Sequence, residues 1–159
     1  MVYKRVNMAE MVISRNEDIL AIYGLGSCLG LTIHDPTRAV GAMAHVMLPT
    51  NLTGITNSKP GKYVDTAIDE MINGMKRYGC EQENMVAKMC GGSRMFKTSK
   101  DDAECIGAKN IKLATKILKQ RGIPVAARDV GGDFGRIVEF DVKTGQMYIK
   151  TVSGDRKVI

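Results

Sequence analysis

Residues 29–48 read Leu29-Gly30-Leu31-Thr32-Ile33-His34-Asp35-Pro36-Thr37-Arg38-Ala39-Val40-Gly41-Ala42-Met43-Ala44-His45-Val46-Met47-Leu48. Two apolar runs flank Asp35-Pro36-Thr37-Arg38, a tetrad with the composition of a tight turn. Residues 29–34 and 40–48 are therefore predicted to be strands, and the turn between them predicts an antiparallel hairpin. With the turn centred between Pro36 and Thr37, directly opposed residues have numbers that add to 73. That register sets Cys28 opposite His45, on one face, with Cβ atoms about 4.5–5.5 Å apart.

Upstream, residues 6–14 read as an irregular strand and 19–23 as a short apolar strand, interrupted by Gly24-Leu25-Gly26-Ser27. Downstream, a polar stretch from 49 to about 61 carries Asn51, Thr53, Gly54, Thr56, Asn57, Ser58 and Pro60. It is long for a connector and predicts a lid or a wall of a site. Val64, Ala67, Ile68, Met71, Ile72 and Met75 then fall on one helical face, with Gly79 as the stop. A second helix is expected over 108–121, with Ile111, Ala114, Thr115, Ile117 and Leu118 inward and Gly122 and Pro124 ending it. Residues 84–90 read as a strand running into Gly91-Gly92-Ser93. Strands are also expected over 125–130, 136–142 and 147–152, the last two joined by Lys143-Thr144-Gly145. The order lacks a regular βα alternation. It predicts an α+β single-domain layered sandwich over 1–159, mostly antiparallel, with two main helices.

Composition agrees with one globular domain: 159 residues, 44% hydrophobic and 25% charged. Lys and Arg number 23 against 17 Asp and Glu, for a formal +6. The basic residues are scattered, with no block of five, and aromatics are 5% with no Trp. Both points argue against nucleic-acid binding and leave a basic surface suited to an acidic protein partner. No apolar run approaches the roughly 20 residues of a membrane span, and no h-region follows Met1-Val2-Tyr3-Lys4-Arg5. A cytoplasmic protein without membrane insertion is expected.

Cys28, Cys80, Cys90 and Cys105 form no C-x-x-C pair and match no zinc template. Reduced thiols are expected, and core filling is the default for each. Cys28 stands apart because of His45. A thiol beside an imidazole is a nucleophile–base pair suited to acyl transfer, with the charge held as thiolate and imidazolium. The bend before Cys28 could also aim backbone N–H groups at a reacting oxygen. His34 is expected to be a surface residue flanking the turn. Gly24-Leu25-Gly26-Ser27-Cys28-Leu29-Gly30 precedes strand-like sequence and so is no dinucleotide fingerprint. Gly91-Gly92-Ser93-Arg94 and Gly131-Gly132-Asp133 either cradle anions or make turns, the turn being the simpler reading.

Taken in order, several segments resemble the CheD family of chemoreceptor glutamine deamidases: Leu25-Gly26-Ser27-Cys28; Asp35-Pro36; Gly41-Ala42-Met43-Ala44-His45-Val46-Met47-Leu48-Pro49; and Lys59-Pro60-Gly61-Lys62-Tyr63. Gly91-Gly92-Ser93-Arg94-Met95-Phe96, Ile106-Gly107-Ala108-Lys109-Asn110 and Asp129-Val130-Gly131-Gly132 extend the likeness over nearly the whole chain. The resemblance implies a layered α+β sandwich related to deamidating toxins, with catalytic residues Cys28 and His45. It implies hydrolysis of receptor glutamine side chains to glutamate through a Cys28 thioester, without metal or organic cofactor. Receptor methylesterase activity and binding to a CheC-type phosphatase are implied as well. The family's third catalytic residue is a threonine six positions before the cysteine, and Ile22 stands there in this chain. The alternative is therefore a weakly active or non-catalytic adaptor for CheC or receptors.

Overall fold

The computed structural model describes residues 1–54, 59–95 and 105–159. Five strands open the chain: β1 (Tyr3–Arg5), β2 (Met11–Arg15), β3 (Ile19–Leu25), β4 (Leu29–Asp35) and β5 (Val40–Val46). Helix α1 (Val64–Arg77), strand β6 (Val86–Gly91) and helix α2 (Ile106–Gln120) follow. Strands β7 (Val125–Val130), β8 (Arg136–Asp141), β9 (Met147–Thr151) and β10 (Arg156–Val158) close it. They form two five-stranded sheets, ordered β2-β5-β4-β6-β7 and β1-β3-β8-β9-β10. Among the named pairings, β1 with β3 and β6 with β7 are parallel, and the rest are antiparallel.

The β2–β7 sheet is the middle layer. Every residue of β4 and β5 is buried, which explains their continuous apolar composition. Leu29, Leu31, Ile33, Ala42, Ala44 and Val46 pack with Val64, Ile68, Met71, Ile72, Ala114 and Leu118 of the helices. Alternation then turns Gly30, Thr32, His34, Gly41, Met43 and His45 toward the second sheet. There Met43 and Cys90 join Leu20, Ile22, Leu25, Val138, Phe140 and Ile149. Gly41 is required by this packing, since a Cβ there would lie 2.8 Å from the Phe140 ring. The outer sheet buries one face only, so β8 and β9 alternate, with Ile137 and Tyr148 exposed between buried neighbours.

The expected α1 face is buried in full, and Gly79 ends the helix at φ +86°. Each Val, Ile and Met of that face contributes about 1.5–3 kcal/mol of burial, before chain entropy is set against it. Three expectations need correction. Residues 6–14 are not one strand: β1, beside β3, ends at Arg5, residues 6–10 cross between the sheets with Ala9 at φ +67°, and β2, beside β5, starts at Met11. The chain thus crosses between sheets where its pattern looked continuous. Helix α2 starts at Ile106, and Thr115 is exposed, returning its hydroxyl to the Ile111 carbonyl at 2.8 Å. Strand β10 was not expected. Its three residues are all exposed, so it carries no hydrophobic period and is held by backbone pairing to β9. The polar stretch 49–61 is described at 49–54 and 59–61. Thr56, Asn57 and Ser58, on which the lid expectation leans, lie outside the described residues, as does Phe96.

Candidate active site

The hairpin forms, but in another register. Asp35 pairs with Val40, Gly30 with His45 and Leu29 with Val46, so opposed numbers add to 75. Four residues, 36–39, make the turn instead of two. The Asp35 carboxylate accepts from the Thr37 N–H at 2.9 Å and from its hydroxyl at 2.6 Å, and Ala39 takes φ +50°. Cys28 is therefore not directly opposite His45. The slip is two residues, and an even slip preserves which face a side chain occupies. Cys28 stands one residue beyond β4, on the inter-sheet side with His45 and diagonal to it, a relation that sets residues about 7–8 Å apart.

His45 is held from three directions. Its Nδ1 lies 3.2 Å from the Val6 carbonyl, so Nδ1 carries the proton and Nε2 keeps its lone pair. Its backbone N–H donates to the Glu10 carbonyl at 3.0 Å, and its carbonyl accepts from Ala9 N at 2.9 Å. The Glu10 carboxylate closes this turn by accepting from Asn7 N at 3.0 Å. The crossing between the sheets is thus a clasp around the histidine. Gly30 faces His45 across the ladder, and a Cβ there would lie 3.2 Å from Leu25 and 3.4 Å from Ile22 Cδ1. Ile22, fully buried, occupies that row with an apolar tip.

The Cys28 bend is anchored through its carbonyls. Gly26 O accepts from Ser93 N at 3.0 Å and Cys28 O from Gly92 N at 2.9 Å. Gly91, at φ +99°, must be glycine, because a Cβ would stand 2.6 Å from Cys28 O. Among the described residues the N–H groups of Ser27 and Cys28 find no acceptor. Burial pushes the Cys28 thiol above its usual range. Burial also holds His45 below the usual histidine value, against the upward pull of the Val6 carbonyl and the Glu10 charge. Both shifts favour the neutral thiol and the neutral imidazole over the thiolate–imidazolium pair.

His34 is not a surface residue. It is 5% exposed, its Nε2 donates to the Val142 carbonyl at 2.7 Å, and it meets the Phe140 ring edge-on at 5.8 Å. Cys80 and Cys90 are buried, with thiols pushed up to about 11 and about 12, chiefly by burial. Cys105 is half-buried beside α2. The sequence reading did not single out Val6 and Glu10, which hold His45. Val6 acts through a backbone carbonyl, which no side-chain motif can mark.

A thiol and an oriented imidazole on one face of a doubly covered sheet are the groups that cysteine acyl transfer would require. The family model described as CheD chemotactic sensory transduction matches residues 47–151, and the chain belongs to that family. It is 41% identical to the probable chemoreceptor glutamine deamidase CheD of Desulfitobacterium hafniense over 97% of this chain and 96% of that one. It is 37% identical to the chemoreceptor glutamine deamidase CheD of Thermotoga maritima over 98% and 96%. The crystal structure of Neisseria meningitidis protein NMB0706 superposes at a TM-score of 0.48 with 16% identity, over 82% of this chain and 62% of that one. Among the described residues, no helix is long and apolar enough to cross a membrane.

Proposed function

We propose that this protein hydrolyses glutamine side chains of chemoreceptors to glutamate, with Cys28 as nucleophile and His45 as base and then acid. The observation that carries the reading is His45, whose Nδ1 rests on the Val6 carbonyl, which leaves Nε2 as the basic nitrogen on the sheet face it shares with Cys28. The relatives' names supply the substrate. Nε2 takes the thiol proton as Sγ attacks the carboxamide carbon, and the new oxyanion is met by the N–H groups of Ser27 and Cys28. His45 returns the proton to the leaving nitrogen, the C–N bond breaks, and ammonia departs from a thioester. Water, deprotonated by the same nitrogen, attacks that carbon; the C–S bond breaks as Nε2 returns that proton to sulfur, leaving the glutamic acid side chain, which ionises to glutamate, and the restored thiol. A glutamate methyl ester would enter the same sequence with methanol as leaving group. No step needs a metal or organic cofactor.

The Val6 carbonyl does what a threonine at position 22 would otherwise do, fixing the imidazole tautomer, so Ile22 does not disable the pair. The adaptor alternative has no support in the comparisons. A CheC-type phosphatase as partner and a cytoplasmic location belong to the same proposal. The decisive assay incubates a receptor cytoplasmic fragment with the protein and follows the Gln-to-Glu mass gain by peptide mass spectrometry. Wild type is expected to deamidate, and Cys28→Ala and His45→Ala to be inactive. Equal activity in Cys28→Ala would refute the proposal.

A further inference from the structure

The two Gly-Gly turns are not anion cradles. Four N–H groups that a cradle would need are already bonded: Gly92 to Cys28 O, Ser93 to Gly26 O, Arg94 to Gly132 O at 2.8 Å, and Gly131 to Gly91 O at 2.9 Å. The turns are laced to each other and to the Cys28 bend. Beneath them lies Arg136, 2% exposed. Its Nη1 donates to Ser93 Oγ at 2.7 Å and to the Gly131 carbonyl at 3.0 Å, and its Nε donates to Asp129 at 3.2 Å. The guanidinium stacks 4.5 Å over the Phe134 ring. Ser93, 1% exposed, donates its own hydroxyl to the Phe134 carbonyl at 2.8 Å. From the other side α2 presses in, since a Cβ on Gly107 would come within 2.3 Å of Gly92 O.

A buried guanidinium is expensive unless its donors are met. Here they end on a hydroxyl, a loop carbonyl and a carboxylate that Lys157 also binds at 3.1 Å. Truncating an acceptor therefore disturbs the whole lattice and not one contact. We propose that Ser93 and Arg136 are positioning residues for the nucleophile: they stiffen residues 91–94, which hold the carbonyls of Gly26 and Cys28 and so aim the thiol toward His45. The inference rests on Cys28 being the nucleophile.

The test compares wild type, Ser93→Ala and Arg136→Gln. It measures kcat and KM for receptor-fragment deamidation, the urea midpoint, and the pH profile of Cys28 alkylation by iodoacetamide, resolved by peptide mass. Displacement of a reacting group by about 1 Å lowers rate about 100-fold. The expected result for folded Ser93→Ala is a kcat about 10–100-fold lower with KM within about twofold. Its Cys28 alkylation profile is expected to shift from that of wild type. Arg136→Gln is expected to lose stability as well, so Ser93→Ala carries the decision. A folded Ser93→Ala protein with wild-type kcat and alkylation profile would overturn the proposal, as would a fall in kcat no larger than the fall in folded fraction. If wild type itself deamidates nothing, the functional assignment fails, and the alkylation profile still decides the positioning role.

Discussion

Ile22→Thr tests how the imidazole is oriented. Ile22 is fully buried between the sheets, and its Cδ1 approaches the empty side of Gly30, directly across the ladder from His45. Shortening Ile to the Val skeleton costs about 0.5–1.5 kcal/mol in a core. Exchanging a methyl for a buried hydroxyl without a partner costs about 1–3 kcal/mol more. The sum is about 1.5–4.5 kcal/mol of stability, read as a lowered urea midpoint against wild type, with Ile22→Val isolating the first part. Because Nδ1 already has the Val6 carbonyl, the new hydroxyl has no tautomer left to fix. Deamidation kcat, measured well below the unfolding transition, is expected to stay within about threefold, or under about 1 kcal/mol of barrier. A tenfold gain in kcat, with a stability loss no greater than that of Ile22→Val, would refute the reasoning. The hydroxyl would then be satisfied by His45, and the backbone carbonyl would be an insufficient orienter.

Alkylation of the folded protein should label Cys28 and Cys105 and spare Cys80 and Cys90, which are 4% and 0% exposed; early labelling of Cys90 on peptide mapping would contradict the packing. His34 and His45 both have pKa values held below the ordinary 6.5 by burial. The unfolded chain therefore binds more protons than the folded one once pH drops under 6.5. Their contribution is complete above that value and is lost as pH falls through the folded values, so urea midpoints should decline on that side, more shallowly in His34→Gln. The deamidation rate should share this acid limb, because only neutral His45 can accept the thiol proton. Gly107→Ala should destabilise despite a helix-propensity gain of about 1 kcal/mol, since the added Cβ meets backbone at Gly92. Gly74→Ala meets side chains only, closely just at the flexible tip of Ile13, so its urea midpoint should be close to or above wild type.

Local patterns made much of the fold legible. The α1 face, the Gly79 and Gly122 stops and strands β8 and β9 follow from periodicity and turn chemistry acting over a few residues. Residues 6–14 failed for the opposite reason. One apolar run serves two sheets, and only the position of His45 and β3 in space shows where it must turn. Helix α2 was placed within two residues, yet the outward Thr115 depends on how α2 lies on the sheet, which no helical period specifies.

The sequence by itself determined that Cys28 and His45 share a face. Side-chain parity along paired strands survives any even slip, so the pair was readable although the register was off by two. The four cysteines, for which no pairing was expected, are all free in the structure. Tertiary structure decided the rest. The turn length, set by Asp35 bonding to Thr37, made the two residues diagonal. The crossing at residues 6–10 put a backbone carbonyl on Nδ1, and backbone atoms carry no residue identity to read. The second sheet buried His34 and His45 and half-buried Cys28, and burial favours the neutral thiol and the neutral imidazole, because desolvation acts on charge from all directions at once.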